Sequence, residues 1–568
     1  MIQRGLIFFF LFVFFSSPLY PFDTQTLSQN RQWQQLLHFH DGESEIDAAD
    51  FFLSPLGKTD AKAELDATLG ALVLGEDIAC RFPDRVWWLH EKVPTLSQKV
   101  AYKPCADLEE HLRDLPIVQG VVVFPSAHIN APASMFGHTF LRLDDEEGLP
   151  LMSQAVNYAA KTPKEHGFLY AYRGLFGAYE GHYSVLPYYQ KIKEYNKLEQ
   201  RDLWEYTLNL TAEEIVRLQR HLYALRHMYA DYYFMKENCS YNLLWLLEVA
   251  RPKSRLISQF HLMATPMDTL KVLHKEGFIT KSTYRPSKSK ELLALLQASE
   301  QTNAEVQEAY KAQVDVGLLQ LARSQGKIAK KPYVKKLMGL LAARSRLPKV
   351  AKPVILSPEN PLDSHASHKM TMGVDSANAV SLDVKLAYHD IYDVDRGFSQ
   401  GAYIDFLHLR VKKSEEGRLE IEKFDVLDMQ SYAVRDAIFK PFSWAVSFGM
   451  ARFRDETSVK IVGAYGLSYA LGKRALGFIM MGSKFYYHDR VVLGVSPRLG
   501  VLAGVGSVKL GVLGERNFYS DGGGDVLGEA FVTWMFHDDM ALNLKVNHDK
   551  IEYKKSTHIL AASLFYYF

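Results

Sequence analysis

The last third of the chain alternates apolar and polar residues in short stretches. Residues 382–388 and 542–547 each place aliphatic or aromatic side chains on one face and mostly charged or amide side chains on the other. Turns rich in Gly, Asp and Asn separate such stretches, as at residues 521–525. An apolar face opposite a polar face over about ten residues is typical of a transmembrane barrel strand. The pattern predicts an antiparallel barrel of about 12 strands over residues 366–568, with a soluble β-sandwich as the alternative.

The two termini carry signals of export. The chain ends at Phe568, on the same predicted strand face as Tyr566 and Leu564. An aromatic terminal residue in such a strand resembles the sorting signal of bacterial outer-membrane barrels. At the other end, Arg4 precedes an apolar run over residues 5–15 and then two serines. This order predicts a secretory signal peptide, since a membrane-spanning helix needs about 20 apolar residues. We therefore expect an outer-membrane protein whose domain before the barrel faces the periplasm.

The middle of the chain changes from strand-like to helix-like patterns. A β-branched run over residues 117–124 predicts a buried strand, and two more strands are predicted over residues 139–143 and 151–158. A capping box precedes an amphipathic helix over residues 211–230, and an apolar helix begins at Cys239. Strands followed by helices in this order predict a small α+β domain.

Length and charge limit the remaining organisation. A chain of 568 residues is too long for one ordinary core, and a net charge of +1 gives no reason to expect nucleic acid as a partner. Ten Lys or Arg and no Asp or Glu lie between residues 323 and 352. This run is either a solvated face or a surface for anionic lipid head groups. The expected organisation is a signal peptide over residues 1–21, a helical N-terminal region over 22–110, a catalytic domain over 111–285, a basic helical linker over 286–365 and a barrel over 366–568.

Three cysteines in an exported chain leave one without an obvious partner. Cys80 and Cys105 lie in one segment and are able to close a local disulfide loop, whereas Cys239 stands far downstream. An odd cysteine is either buried and inert, paired with another molecule, or a reactive thiol. Cys239 is predicted at the start of a helix, where unpaired N–H groups and the helix dipole favour a thiolate and could bind an oxyanion.

A histidine motif upstream offers a base for that thiol. The segments Asn130–Leu143 (NAPASMFGHTFLRL) and Glu237–Leu244 (ENCSYNLL) place His138 at the start of a strand and Cys239 at the start of a helix. These positions are compatible with a Cys–His pair, although each residue type is more often structural when it is considered alone. The sequence has no His-Glu-x-x-His or Cys-x-x-Cys spacing and no P-loop, Gly-x-Ser-x-Gly or dinucleotide motif. We therefore expect no metal and no cofactor.

These two segments resemble the Lnb N-terminal periplasmic domain family, in which Pro-Ala-Ser-Met-Phe-Gly-His-Thr-Phe and a later Asn-Cys-Ser-Tyr are diagnostic. The similarity covers residues 45 to 300 approximately and extends in weaker form to the barrel. The family resembles circularly permuted papain-like proteins of the NlpC/P60 type, in which the histidine strand precedes the cysteine helix. The resemblance implies Cys239 as the nucleophile, His138 as the base and Asn157 as the orienting group. His128 and His182 are weaker alternatives for the base.

The same resemblance implies lipoprotein N-acylation. A phospholipid would donate an acyl chain to Cys239 as a thioester. The acceptor would be the free α-amino group of a diacylglyceryl lipoprotein. A papain-like cell-wall endopeptidase or amidase is the second hypothesis, favoured by a polar open cleft rather than an apolar groove. A non-enzymatic outer-membrane pore or binding protein is the third.

Overall fold

The computed structural model describes residues 23–114, 116–126, 137–163, 168–300, 302–413, 417–551 and 556–568. The predicted signal peptide and the first part of the histidine motif, with His128, lie outside these residues. The chain divides into two compact units, residues 1–111 with 219–230 and residues 112–218 with 231–568. No helix in the described ranges is long and apolar enough to cross a membrane.

The first unit is mainly helical and contains a disulfide. Its helices are Thr24–Ser28, Arg31–Leu36, Ala61–Val73 and Pro83–Lys92, the helix Ala106–Asp114 begins in it, and Phe39–His40 pairs with Glu43–Ser44. Cys80 and Cys105 are bonded to each other. Arg85 and Glu64 form a fully buried ion pair at 2.6 Å. Among the described residues, Cys239 is therefore the cysteine left with a free thiol.

The second unit contains an antiparallel sheet. Within the described residues, six of its strands have six or more residues, in the spatial order Glu180–Pro187, Gln154–Ala160, Phe140–Asp145, Ile117–Pro125, Leu203–Leu208 and Ile279–Arg285. The three strands predicted between residues 117 and 158 are thus formed, with boundaries shifted by at most three residues. The β-branched run forms an inner strand of this sheet. Its Val121 and Val123 pack in one buried cluster with Phe140, Ala155 and Tyr188.

Helices of this unit position the residues of interest. They are Phe168–Leu175, Tyr188–Lys191 with its π-helical continuation Ile192–Leu198, Ala212–Ala224 (which ends in the first unit), Cys239–Ala250 and Pro266–Lys275. The predicted capping box is confirmed, since the Thr211 N–H donates to Glu214 at 2.9 Å and the Glu214 N–H donates to Thr211 Oγ1 at 3.2 Å. All residues of Cys239–Ala250 are buried, and this helix packs on the strands Phe140–Asp145 and Gln154–Ala160.

The basic stretch forms helices before the barrel. These helices are Lys288–Ser299, Ala304–Ser324 and Lys330–Ser345. No residue of Lys330–Ser345 is buried. The exposure agrees with both interpretations of the basic run, a solvated face and a surface for anionic head groups.

The C-terminal part of the unit is a closed barrel. Twelve antiparallel strands, all within the described residues, form it: Lys369–Asp375, Val380–His389, Ala402–Lys413, Leu419–Ser431, Ser443–Phe453, Glu456–Ala470, Ala475–Tyr487, Val491–Val505, Val508–Tyr519, Gly524–His537, Met540–Ile551 and Thr557–Tyr567. The first strand pairs with the last, with Lys369 opposite Tyr567. This closure confirms the predicted barrel of about 12 strands and removes the sandwich alternative.

Side chains alternate between the two faces of the barrel wall as the sequence predicts. Asp383 and Lys385 are buried, whereas Leu382, directly before Asp383, is 44% exposed. Tyr566 on the last strand and Phe568 directly after it are likewise exposed. Apolar side chains outside and polar ones inside are the arrangement of a barrel surrounded by lipid.

Side chains fill the end of the barrel where the chain enters at Lys369 and leaves at Tyr567; this end is called the rim below. The segment 390–401, between the second and third strands, lies there. Its Ile391 packs in a buried cluster with Phe531 and other residues of the wall, and its Val394 packs with Phe565 and Tyr567. The lumen at the rim is therefore occupied by protein.

Candidate active site

Cys239 is the first residue of its helix, as predicted, and is 4% exposed. Asn238 caps the helix, because its Oδ1 accepts from the N–H groups of Ser240 at 3.0 Å and Tyr241 at 3.2 Å. The Cys239 N–H donates to the hydroxyl oxygen of Tyr232 at 3.1 Å. The first-turn donors expected to bind an oxyanion are thus already engaged.

His138 lies two residues before the strand Phe140–Asp145, and Asn157 holds its ring. His138 Nε2 is 2.9 Å from Asn157 Oδ1, and Asn157 is buried in the neighbouring strand. An amide oxygen only accepts, so Nε2 carries the proton and Nδ1 keeps a lone pair. The ring of Tyr195 packs against the imidazole with a centroid distance of 5.5 Å. The hydrogen bond to Asn157 orients the ring and selects its tautomer.

His138 and Cys239 line the same cavity of about 130 Å³. The Thr139 N–H, one residue beyond His138, donates to the thiol sulfur. The cavity is completed by Gly137, Tyr170, Tyr232, Phe234, Met235, Asn238 and the segment from Met263 to Pro266. The structure therefore brings Cys239, His138 and Asn157 together: the first two line one cavity, and Asn157 joins them through its hydrogen bond to His138.

Burial makes both partners of the pair neutral. It raises the pKa of the Cys239 thiol, although hydrogen bonds from the Thr139 N–H, the Tyr232 hydroxyl and the Ser240 N–H oppose the rise. Burial also lowers the pKa of His138 to about 3, against the opposing effect of the Asn157 hydrogen bond. The expectation of a thiolate at the helix start is therefore wrong for the resting site, because desolvation outweighs the helix N-terminus.

Two tyrosines near the pair were not found from the sequence. Tyr232 contacts the backbone of Cys239, and Tyr195 contacts the ring of His138. Tyr232 lies seven residues before Cys239 in an aromatic-rich stretch, and aromatic residues in such a stretch are usually core. No sequence motif distinguishes it from its neighbours.

The weaker histidine candidates do not share this environment. His182 lies on the strand Glu180–Pro187 with its Nε2 3.2 Å from Glu180, and it is not among the described residues that line the cavity. His128 lies outside the described residues.

Comparison with protein families confirms the resemblance for part of the chain. Residues 108–276 match the Lnb N-terminal periplasmic domain. Residues 25–92 and 358–567 match two domains of unknown function, DUF7843 and DUF7840. No curated protein matches the chain.

Among solved structures, only the barrel is covered in the examples that follow. The NanC porin is 6% identical, with 36% of this chain and 100% of that chain covered and a TM-score of 0.26. The OmpT loop-L8 deletion mutant, an outer membrane protein of Vibrio cholerae, is 7% identical over 35% of this chain and 97% of that chain, with a TM-score of 0.20. The outer membrane channel DcaP of Acinetobacter baumannii is 6% identical over 36% of this chain and 96% of that chain, also with a TM-score of 0.20.

The chain's own strand pairing establishes the barrel, independently of these low scores. A closed barrel with an apolar outer face is an outer-membrane architecture. The family match assigns residues 108–276 to a periplasmic domain. The protein is therefore an outer-membrane protein whose Cys239 domain faces the periplasm, as predicted.

Proposed function

We propose that this outer-membrane protein is a cysteine acyltransferase of lipoprotein N-acylation. An acyl chain would pass from a phospholipid to Cys239 and then to the N-terminal amine of a diacylated lipoprotein. The observation that carries the proposal is the Cys239, His138 and Asn157 arrangement around one cavity. The histidine segment precedes the cysteine helix in the chain, which supports a circularly permuted papain-like domain over residues 111–285.

The first half-reaction forms a thioester. His138 Nδ1 takes the thiol proton while Cys239 Sγ bonds to the carbonyl carbon of the phospholipid ester. The tetrahedral intermediate then breaks its C–O bond, and the imidazolium returns the proton to the departing alcohol oxygen. The products are acyl-Cys239 and a lysophospholipid. A neutral imidazole is the form required at the start, and the lowered pKa of His138 keeps it neutral at pH 7.

The second half-reaction releases the acyl chain as an amide. The α-amino group of the lipoprotein attacks the thioester carbon, His138 accepts a proton from the nitrogen, and the C–S bond breaks. The proton then returns to the sulfur and restores the thiol. An α-amino group has an ordinary pKa of about 8, so roughly a tenth of it is deprotonated and nucleophilic at pH 7, far more than for a lysine side chain. A site that excludes water favours this amine over hydrolysis.

Tyr232 is the best candidate for stabilising the oxyanion. Its hydroxyl lines the cavity, accepts the Cys239 N–H and directs its own proton towards the sulfur, where an oxyanion that forms beside the sulfur would take that proton in its place. Asn238 occupies the next two N–H groups of the helix. The hydroxyl therefore replaces the backbone donors that the helix start was expected to supply.

The surface near the cavity supports a lipid substrate. The cavity of about 130 Å³ is smaller than ordinary ligand pockets of roughly 300–1,000 Å³, so a fatty acyl chain must lie mostly outside it. On the adjacent helix Phe168–Leu175, Tyr170 lines the cavity. Leu169 and Tyr172 of that helix and Phe176 just after it are 48%, 51% and 65% exposed. Their spacing gives an exposed apolar stripe, which suits an acyl chain better than a peptidoglycan strand.

Acyl transfer is tested with the purified full-length protein, a phospholipid and a diacylated lipopeptide. Mass spectrometry should detect acyl-Cys239 without acceptor and triacylated lipopeptide with it. Cys239→Ser and Cys239→Ala should both abolish the products. Wild type and Cys239→Ser giving the same products, or none, would overturn the proposal. Cleavage of peptidoglycan fragments by the wild type alone would instead support the endopeptidase or amidase.

A further inference from the structure

We propose that the rim of the barrel contains a binding site for a divalent transition-metal ion such as Zn²⁺. Its ligands are His365, His389 and Asp393, here called the rim cluster. They come from three places: the segment before the first strand, the end of the second strand, and the segment that fills the rim. This site is separate from Cys239, and the inference does not depend on acyl transfer.

The three ligand atoms already lie close together. His365 Nε2 is 3.0 Å from His389 Nδ1 and 3.9 Å from Asp393 Oδ2. All the candidate ligand atoms lie within 4.8 Å of one another, and all three residues are buried. Two nitrogens bound tetrahedrally at about 2.0–2.1 Å would be separated by about 3.3 Å. A small widening of the histidine pair therefore creates the correct spacing.

Proton accounting indicates that a cation belongs between the two rings. His365 Nδ1 lies 2.7 Å from the Ala366 carbonyl oxygen, so Nδ1 carries the proton and Nε2 a lone pair. His389 Nε2 lies 3.2 Å from Asp395 Oδ1, so Nε2 carries the proton and Nδ1 a lone pair. The two lone pairs then face each other across 3.0 Å. A metal ion binds both, whereas without one an additional proton is needed there.

The surroundings are those of a metal site. Ligating histidines usually donate their second N–H to a carbonyl or a carboxylate, and here His365 uses a carbonyl and His389 a carboxylate. Lys509 in turn holds Asp395 at 2.8 Å. Imidazole nitrogens with one carboxylate favour zinc and similar first-row ions over calcium or magnesium.

Two lysines share Asp393 and would adjust when the metal binds. Lys369 lies 2.6 Å from Asp393 Oδ1, and Lys385 lies 3.1 Å from Oδ2. Lys385 also contacts Asp390 and Asp405, each at 3.1 Å, so it keeps carboxylate partners when Asp393 turns towards the metal. Lys369 likewise keeps Asp390 at 2.5 Å, so both lysines retain a carboxylate partner.

The site connects the barrel to the wall of the Cys239 cavity. The segment carrying His365 bonds to the helix Pro266–Lys275 and its cap, through Ser367 Oγ to Thr265 Oγ1 at 3.0 Å. Lys271 Nζ donates to the carbonyls of Ser364 at 2.5 Å and His365 at 2.6 Å. Thr265 lines the cavity. A metal at the rim cluster would fix this segment and, through it, one wall of the cavity.

The experiment uses untagged full-length protein in detergent, stripped with a chelator and dialysed against ZnCl₂ or CoCl₂. Elemental analysis should find about one metal per wild-type chain, and the cobalt form should show the absorption of a low-symmetry His-ligated site. His365→Ala and His389→Ala should weaken zinc binding by at least about 10-fold. His558→Ala is the matched control, because its ring faces His548 at 3.3 Å in a more exposed pair, and it should retain the metal.

Stripped wild-type protein that binds no zinc at micromolar concentration overturns the proposal, and so does equal binding by wild type and both rim variants. Absence of zinc would mean that a proton occupies the space between the rings. Should a rim variant fail to fold, the wild-type stoichiometry and a zinc-dependent rise in its unfolding temperature still decide the question.

Discussion

Two histidines, the half-buried His138 and the buried His389, have the same local arrangement and different surroundings. Each donates from Nε2, to Asn157 Oδ1 at 2.9 Å and to Asp395 Oδ1 at 3.2 Å respectively. Each therefore presents Nδ1 as a lone pair. The ring of His138 lines a cavity with a thiol, whereas Nδ1 of His389 faces the nitrogen of a second histidine. The neighbour on one side fixes the tautomer, and the neighbour on the other side decides between a base and a ligand.

The two histidines also differ in the charged groups around them: His138 faces a neutral cavity, and His389 lies among ion pairs. The cavity at Cys239 is lined by neutral side chains and backbone, which suits a resting site of thiol and imidazole. The rim cluster lies among lysine–aspartate pairs, such as Lys369 with Asp390 and Asp393. Removing one member of such a buried pair leaves a charge uncompensated. We therefore expect substitutions at the cavity to change activity more than stability, and substitutions at the rim to do the reverse.

The largest effect that separates the two regions is expected for His138→Ala. Loss of the general base should lower acyl-Cys239 formation by about 10²–10⁴-fold with little change in folding. The matched control is His182→Ala, whose ring bonds to Glu180 away from the cavity, and it should transfer acyl chains normally. Mass-spectrometric time courses of the acyl-enzyme measure both. A normal rate for His138→Ala would show that His138 is not the general base. The comparison of His138 as a base with His389 as a ligand would then fail as well.

Tyr232→Phe tests whether the hydroxyl, rather than the helix N-terminus, stabilises the oxyanion. Loss of one such donor should lower the rate of thioester formation by about 10²-fold. The ring and its packing remain, so the thermal unfolding of the protein should change little. Binding of a non-hydrolysable phospholipid should also be unchanged if the hydroxyl acts on the transition state. An equal loss of binding and rate would instead assign Tyr232 to substrate binding.

The exposed stripe beside the cavity offers a test of substrate class. The double variant Leu169→Ser with Phe176→Ser should lower transfer from phospholipid vesicles by about 10-fold, because each substitution removes apolar contact with the lipid. Transfer from a short-chain soluble ester should be unaffected. Leu74→Ser is the control, since Leu74 is 79% exposed in the other unit. Equal losses with both donors would mean that the stripe supports the fold rather than the lipid.

Periodicity predicted the elements because each is determined by local pattern. The β-branched run became the strand Ile117–Pro125, and the alternating C-terminal stretches became barrel strands with Asp383 and Lys385 inside. The apolar run after Cys239 predicted the helix that begins there, and the structure adds Asn238 as its cap. These features depend on neighbours in sequence, which the sequence displays directly.

What the sequence did not predict depends on partners distant in sequence. The neutral thiol follows from the burial of Cys239 among side chains of several segments. Tyr232 becomes a candidate donor only when its hydroxyl meets the Cys239 N–H. The rim cluster has no zinc-motif spacing, since its members come from separate elements that meet only in the folded protein. In each case the sequence does not reveal which distant residues come into contact or how far they are removed from water.

The smallest expected effect concerns the pH dependence of stability. The pKa of His138 is about 3 in the folded protein and about 6.5 in an unfolded chain, so between these values the unfolded chain binds the additional proton. The stability that depends on neutral His138 is fully present above pH 6.5 and is lost as the pH falls, by at most about 1.4 kcal/mol per pH unit. His138→Gln has no such proton, so its urea midpoint, followed by tryptophan fluorescence, should fall less between pH 7 and pH 5. Urea midpoints that fall equally with pH in the wild type and in His138→Gln would show that His138 is already charged in the folded protein. In that case the resting site would be an imidazolium–thiolate pair, and Cys239 would be reactive before substrate binds.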